Sequence, residues 1–477
     1  MTRQFEEQVP LCVDLDGTII RTDILYESIL LLLKKDPWKT LHLPFWLMKG
    51  KAFLKNSVAN EIDVSVTHLP YNHDLISYLK SQKEAGRQII LVTASHRKYA
   101  AAIANHLGLF TEVLATEENT NLSGENKRDL LLSMFGSKGF DYIGNAKADL
   151  AIWPHSLQSI IVDAHPNVLR QAINSGNVTK VFRSQGFSLK TLLRAMRVHQ
   201  WLKNLLLFIP LFAAHDYGDL IMLKSVVLAF ISFSFCASSV YIINDLLDLE
   251  SDRSHPRKRH RPFAAGHLSI RSGIALAPLL LAASVAIGVI LPIKFLFSLI
   301  FYLILTFAYS LWMKRVIVLD IVALAILYTI RIIGGGLAVD MQFSFWLLAF
   351  SVFFFLSLAM IKRYSELWTM KKEGQVKAHG RGYHTEDFPV ILSLGTASSF
   401  VATLVFCLYI NSPEVKVLYR YPEVLWTLIP ILLFWISRAW IITHRGEMHD
   451  DPVLFAIRDR TSLLLSLLLV VIVLGAR

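Results

Sequence analysis

The sequence predicts a two-part chain. The first part is an α/β domain built on a doubly wound parallel sheet with a small helical cap; the second is an all-α polytopic membrane bundle of about nine transmembrane helices. Three observations predict this. Short apolar runs alternate with helical patterns as far as about residue 185, the rhythm of a parallel sheet. Beyond about residue 200 the apolar runs lengthen toward the roughly 20 residues that a spanning helix needs. The 477 residues are 54% hydrophobic and only 18% charged, with a mean hydropathy of +0.46, which is too apolar for a soluble protein.

The net charge of +11 reads first as positive-inside loops, then as affinity for anionic lipid or phosphorylated substrates. Because no basic-aromatic module stands out, nucleic acid is not an expected partner. Cys12, Cys236 and Cys407 lie in apolar segments, without metal or disulfide spacing. The opening MTRQFEEQVPLCVDLDG has no signal-peptide core, so the first domain is expected on the cytoplasmic side.

The first strand, Val9 to Leu15, runs into Asp14-Leu15-Asp16-Gly17-Thr18. Further strands are expected at Gln88–Val92, Glu112–Ala115, Phe140–Ile143 and Ser159–Val162. Functional loops of such a sheet lie beyond the carboxyl ends of its strands. Four polar pieces fall there: Asp14 with Asp16, Thr93 with Ser95, Lys127, and Gly144-Asn145-x-x-x-Asp149. Alternation along a strand puts Asp14 and Asp16 on one side, where one carboxylate can attack phosphorus while the other protonates the leaving oxygen.

In that order these pieces resemble the haloacid dehalogenase-type phosphatase superfamily, over roughly Val9 to Val181. The resemblance implies that Asp14 is the nucleophile and Asp16 the general acid and base. It also implies that Thr93 and Lys127 bind the transferred phosphoryl group. Asp14, the Asp16 carbonyl and Asp149 would hold Mg²⁺. Asn145 departs from the family, which commonly has an acid there, and lowers the site's charge by one. An amide oxygen can still ligate Mg²⁺ or a bound water. The other reading is a phosphatase-like fold that only binds or regulates.

The insert from about 22 to 71 matches the cap of these phosphatases in position. Its cluster of Trp38, Leu41, Leu43, Phe45, Trp46, Leu47 and Met48, beside Lys49 and Lys51, is expected to form the cap core. The alternative is a surface that dips into a bilayer. Residues Asn174 to Gln185 read as a linker, so the domains are expected at 1–185 and 186–477. From Phe187 to Asn204, Leu189, Leu192, Leu193 and Met196 recur at helical spacing beside Lys190, Arg194, Arg197 and Lys203, a pattern suited to an interfacial helix.

Nine spans are expected, at about 202–215, 222–243, 271–291, 294–311, 317–337, 343–361, 389–410, 424–443 and 460–476. The first is marginal in length. With the N-terminus inside a bacterial-type inner membrane, the loops at 244–266, 309–316, 362–377 and 444–460 face the cytoplasm. They carry most of this part's Lys and Arg, as the orientation rule requires.

The stretch YIINDLLDLESDRSHPRKRHRPFAAG, Tyr241 to Gly266, holds the densest chemistry. Asn244, Asp245, Asp248 and Asp252 fall at spacings of three and four, so a continuous helix would put them on one face. Oxygen ligands of this kind suit a hard cation such as Mg²⁺, which usually keeps positions for substrate phosphates. Arg253, Arg257, Lys258, Arg259 and Arg261 then suit the remaining oxygens of a diphosphate. Solvated charge at a helix end is the bland reading, but Asn244 and Asp245 still lie at the apolar end, where charge is costly.

N-D-x-x-D-x-x-x-D followed by H-P-x-K-R-x-R-P-x-A-x-G resembles the UbiA-type superfamily of polyprenyl-group transferases, and looks most like its decaprenyl-phosphate phosphoribosyltransferase branch. Arg197-x-x-Gln200-Trp201-x-Lys203-Asn204, Lys362-Arg363-Tyr364-x-Glu366-Leu367 and Asp451-Pro452 through Arg460 match the same branch. The resemblance places Lys203 and Asn204 near the active-site mouth. Tyr309-x-x-x-x-Lys314 and Asp320 stand where the superfamily has its second diphosphate or metal motif, here with Lys314 and one acid instead of an acid pair. Arg331, inside an apolar run, is expected to face the bundle interior and pair with an acid or a phosphate.

The resemblance implies phosphoribosyl transfer from phosphoribosyl pyrophosphate to a polyprenyl phosphate, with Mg²⁺ at the acid stretch. Fusion to a phosphatase-like domain then implies removal of the 5-phosphate from the product. Two alternatives stay open: prenyl transfer from a prenyl diphosphate to an aromatic or other acceptor, and a lipid-phosphate carrier or scaffold without chemistry.

Overall fold

The computed structural model describes residues 9–117, 120–175, 177–183, 188–372, 374, 381–448 and 451–477. Parts of the expected linker at 174–185, of the amphipathic pattern from Phe187 and of the loops at 362–377 and 444–460 lie outside these residues. Contacts divide the chain into two compact units, Met1–Met196 with Tyr241–Ala277, and Arg197–Val240 with Pro278–Arg477.

The first unit holds a six-stranded sheet in the order β3-β2-β1-β4-β5-β6, with every neighbouring pair parallel. The strands are β1 (Leu11–Val13), β2 (Ile89–His96), β3 (Glu112–Thr116), β4 (Asp141–Gly144), β5 (Ser159–Val162) and β6 (Val178–Phe182). β1, β4 and β5 are buried along their whole length, which is why they read as unbroken apolar runs. β6 falls in the expected linker and corrects it. It is a half-exposed edge strand, whose Thr179 and Lys180 hide the apolar pattern that marks the others. The order reverses between β1 and β4, so the carboxyl ends of those two strands flank the crevice where such sheets bind ligands. Asp14 follows β1 and Asn145 follows β4.

The cap insert folds as four helices: α1 (Ile24–Lys35), α2 (Pro37–Thr40), α3 (Leu43–Met48) and α4 (Lys51–Glu61). Asp23 caps α1 by accepting from the Leu25 amide, and Glu27 in the first turn and Lys34 in the last agree with its dipole. The cap core is Leu32, Leu54, Val58 and Ile62, with Leu43 and Trp46 packed against it. Trp38, Leu41, Phe45, Leu47 and Met48 are exposed instead, which corrects their expected place in that core.

Among the described residues, seven helices are long and apolar enough to cross a membrane: Leu220–Leu247, Ile270–Ile290, Ile293–Leu311, Leu319–Ala338, Phe345–Lys372, Thr385–Ile410 and Pro422–His444. Pro452–Arg458 and Arg460–Ala476, bent by 78°, make an eighth if counted as one span. The expected first span at 202–215 is instead a 3₁₀ segment, Val198–Phe208, continued by the short helix Ile209–Ala213. Its contacts step along Leu319–Ala338 in the same chain direction. The Lys203 ammonium lies 5.8 Å from the Tyr328 ring, Asn204 bonds Arg331 at 2.8 Å, and the Leu207 carbonyl rests on Gly335. Gly335 permits that approach, since a Cβ there would collide with the Leu207 backbone.

Candidate functional site

Two constellations lie in the first unit. At the crevice between β1 and β4, Lys127 donates to Asp14 at 2.6 Å and to the Tyr142 hydroxyl at 3.0 Å. Burial pushes the Asp14 carboxyl up to about 6 although Lys127 opposes the shift. Asp16 accepts from the Ile24 amide at 2.9 Å and from the Ser95 hydroxyl at 2.5 Å. Its carboxyl is pushed up to about 7, by burial first and then by the negative charge of Asp23, which favours the protonated form a general acid needs. Thr93 is buried and accepts from the Ser95 amide at 3.0 Å, so it orders the loop that holds Ser95 on Asp16. Gly17 turns the chain at φ +75°, with Asn145 packed where a side chain would otherwise sit.

Asp149 accepts from the Tyr142 hydroxyl at 2.8 Å and from the Asn145 and Ala146 amides at 2.9 and 2.8 Å. Its oxygens close the loop after β4. The Asn145 side-chain oxygen is buried without a hydrogen-bond partner among the described residues. An orphaned amide oxygen packed against Gly17, on the loop that carries Asp14 and Asp16, fits a hard cation. The cap also contributes a residue with no sequence motif to announce it: Lys55 donates to the Ala94 carbonyl at 2.6 Å and to Asn121 at 2.7 Å. Asp16 acts electrostatically on this ammonium.

The acid stretch is the second constellation. The Leu220–Leu247 helix stops short of Asp248, and Leu249–Ser254 begins a new helix with Asp248 at its cap. This corrects the single helix face expected for Asn244, Asp245, Asp248 and Asp252. Asp245 and Asp252, both buried, converge on one nitrogen of Arg261, at 3.0 and 2.6 Å. Asp248 turns to Lys34 of α1, at 3.1 Å. Burial raises the Asp252 carboxyl, and Arg261 works against that shift. Among the described residues no three acids, histidines or cysteines gather closely enough to hold an ion by themselves. Two buried carboxylates meeting at one cationic atom nevertheless fit Mg²⁺, which is often held by one or two carboxylates plus substrate phosphates. Asn244 lies half-buried one residue before Asp245, while Arg257, Lys258 and Arg259 are exposed.

Arg253, within the same stretch, is buried in a bidentate pair with Glu27 of α1, at 2.6 and 3.1 Å. It also donates to the Ala264 carbonyl at 3.1 Å, and Thr22 bonds Glu27 at 2.5 Å. Asp23 pairs with Arg271 at 2.7 Å. The sequence gives no local sign of these pairs, because Glu27 and Arg253 stand 226 positions apart.

In the second unit, Arg331 is buried and donates to Asn204 at 2.8 Å, to the Tyr302 hydroxyl at 3.1 Å and to the Leu327 carbonyl. Arg331 faces the bundle interior, as expected, and its protein partners among the described residues are neutral oxygens. Asn204 in turn donates to Ser234 at 2.9 Å. Lys203 pairs with Asp451 and, with it, acts electrostatically on half-buried Lys362. Lys314 sits in the 3₁₀ turn Met313–Arg315. Asp320 is fully buried, paired with equally buried Arg363 and accepting from the Tyr383 hydroxyl at 2.6 Å. Such a pair costs several kcal/mol if one partner is removed, because the other is left as an uncompensated buried charge.

A family model described as the UbiA prenyltransferase family matches residues 205–471, and one described as haloacid dehalogenase-like hydrolase matches residues 11–139. The uncharacterized protein y4nM of Sinorhizobium fredii is 35% identical over 461 residues, covering 96% of this chain and 89% of that protein. The nodulation protein NoeC of Azorhizobium caulinodans is 34% identical over 276 residues, 57% of this chain and 89% of that one. A decaprenyl-phosphate phosphoribosyltransferase of Mycolicibacterium smegmatis is 31% identical over 277 residues, 56% of this chain and 86% of that one. The chain thus belongs to the UbiA prenyltransferase family, as a membrane transferase joined to an N-terminal phosphatase-like domain.

Proposed function

We propose that the membrane part transfers phosphoribosyl from phosphoribosyl pyrophosphate to a polyprenyl phosphate, and that the phosphatase-like domain removes the 5-phosphate of the product. The observation that favours a sugar diphosphate over a prenyl diphosphate is Asp320. It is the single acid at the second motif, and Arg363 and Tyr383 already hold it. The name of the Mycolicibacterium relative supports the same choice.

In the transfer, a phosphate oxygen of the lipid forms a bond to C1 of the ribose as the C1–pyrophosphate bond breaks. No nucleophilic side chain is needed. Asp245 and Asp252 keep Arg261 oriented, and exposed Arg257, Lys258 and Arg259 draw the phosphates to the stretch. Mg²⁺ held by Asp245 and Asp252 would neutralise charge on the leaving pyrophosphate.

In the phosphatase step, Asp14 attacks phosphorus while Asp16 gives its proton to the leaving oxygen. Asp16 then takes a proton from the water that hydrolyses the aspartyl phosphate. Lys127 offsets the phosphoryl charge from its 2.6 Å bond to Asp14. Mg²⁺ held by Asp14, Asp149 and the Asp16 carbonyl, with the Asn145 amide oxygen beside them, would add to that neutralisation. Asn145→Asp supplies a third acid, so it is expected to lower the Mg²⁺ concentration for half-maximal phosphate release several-fold, with a smaller change in kcat. A Mg²⁺ titration of the full-length protein and the variant checks this.

We further propose that Val198–Ala213 crosses the bilayer, giving nine crossings and a cytoplasmic N-terminal domain in a bacterial-type inner membrane. A 3₁₀ segment rises about 2.0 Å per residue, so this short stretch covers a length comparable to a hydrocarbon core of about 30 Å. Running parallel to Leu319–Ala338, with three spans between them, is what an odd first crossing requires.

The deciding experiment supplies the purified protein in nanodiscs with a polyprenyl phosphate and either labelled phosphoribosyl pyrophosphate or a labelled prenyl diphosphate. Consumption of the first alone is expected. Consumption of the prenyl diphosphate alone overturns the assignment.

A further inference from the structure

We propose that α2 and α3 form a bilayer-inserted foot, which holds the phosphatase-like domain on an anionic lipid surface through Trp38, Leu41, Phe45, Leu47 and Met48. Trp38 is 79% exposed and Met48 86% exposed. Neighbouring Leu43 and Trp46 turn inward onto Leu32, Leu54, Val58 and Ile62, so the insert has its own core without the outer five. Five large apolar side chains in eleven consecutive residues make an exposed patch of the kind that marks an interaction surface.

The occupant follows from what α1 is fastened to. The first unit contains the last residues of one spanning helix, Leu220–Leu247, and the first turns of another, Ile270–Ile290. At the start of α1, Asp23 pairs with Arg271, in the first turn of the second of these helices. At its end, Lys34 pairs with Asp248, just past the last turn of the first. Between them Glu27 holds Arg253 in the buried bidentate pair. A helix of 12 residues is about 18 Å long. With its two ends tied to two membrane-helix ends, α1 lies along the bilayer face. α2 begins two residues after α1 stops, so the apolar patch starts beside the end of α1 that is tied to Asp248.

The chemistry of the patch agrees. Aromatic and aliphatic side chains point out, and lysines stand beside them. Lys49 lies 4.6 Å from the Phe45 ring and 4.9 Å from the Phe53 ring, and Lys51 is exposed. Apolar groups entering about 5–10 Å below the headgroups, with lysines left among anionic phosphates, is the interfacial arrangement. A foot of this kind would keep the crevice between β1 and β4 beside the surface where a lipid-linked monophosphate is presented.

The test uses the full-length protein in nanodiscs of phosphatidylcholine and phosphatidylglycerol. A nitroxide is attached at Met48→Cys, at Leu41→Cys and, as a water-exposed reference, at Glu84→Cys. Collisions with oxygen and with a neutral nickel chelate are then compared by spin-relaxation measurements. The oxygen-to-nickel ratio at 41 and 48 is expected to exceed that at 84 several-fold, and to fall to the reference value when the protein is moved to a short-chain detergent. Equal ratios at all three positions in nanodiscs overturn the proposal. So does dipolar broadening between labels on two copies at position 48, which would make a second chain the occupant. Neither readout depends on the substrate, so a failure of the proposed phosphoribosyl transfer would not be mistaken for a failure of the foot.

Discussion

Asp14→Asn is expected to abolish phosphate release while lipid transfer continues, so that a lipid product retaining its 5-phosphate accumulates. The loss should be on the order of 10⁴-fold or more, the scale seen when a covalent nucleophile is removed from a preorganised site. The substitution is close to isosteric. An amide oxygen at position 14 can still accept from Lys127, which now donates there at 2.6 Å, so the loop and its fold should survive. Mass spectrometry of lipids made by the full-length variant from phosphoribosyl pyrophosphate checks the result. If no phosphate-retaining lipid appears while pyrophosphate release is normal, the domain acts on another compound or none, and the two-step scheme fails.

The second large effect is expected at Asp245. Asp245→Asn should reduce Mg²⁺-dependent pyrophosphate release by about 10²–10³-fold, the usual consequence of losing one group aimed at charge that develops in the transition state. The geometric reason is the convergence of Asp245 and Asp252 on a single nitrogen of Arg261. With one carboxylate neutral, Arg261 keeps one charged partner instead of two, and the stretch loses a charge where pyrophosphate departs. Phosphatase turnover of the same protein on a water-soluble phosphate monoester should be little changed, which separates a local effect from misfolding. Near-normal pyrophosphate release by the variant would remove the acid stretch from the mechanism.

The residues whose positions were legible in the sequence are those fixed by local rules. Asp14 and Asp16 both follow an apolar strand, and Lys127 and Asn145 come at later elements of a pattern that alternation alone makes a parallel sheet. Long apolar runs likewise marked seven of the helices. What was not legible depends on distant partners or on a break in a regular pattern. A spacing of three and four assumes an unbroken helix, but the chain turns at Asp248 and sends that carboxylate to Lys34. Trp38 and Met48 look like core residues until Leu43 and Trp46 are seen to fill the cap by themselves. An arginine inside an apolar run points to a buried partner, but its burial alone does not say that carbonyl, amide and hydroxyl oxygens surround it. β6 is hidden in the sequence because a half-exposed edge strand carries no unbroken apolar run.

The buried pairing of Glu27 with Arg253 bears on how the chain is made. Synthesis proceeds from the N-terminus, and domains generally fold as units in that order. Glu27 should therefore be in place on a folded α1 before Arg253 leaves the ribosome. Each newly made acid stretch would meet its anchor at once, instead of emerging as a loose loop of mixed charge at the membrane surface. A gene cut after the phosphatase-like part would take this template away. The transferase left behind would carry an arginine whose buried carboxylate had never been translated, a defect worth about 3–5 kcal/mol in comparable broken pairs. Fusion would then act as a built-in assembly order, in which the phosphatase-like half serves as the transferase's folding scaffold before either has met a substrate.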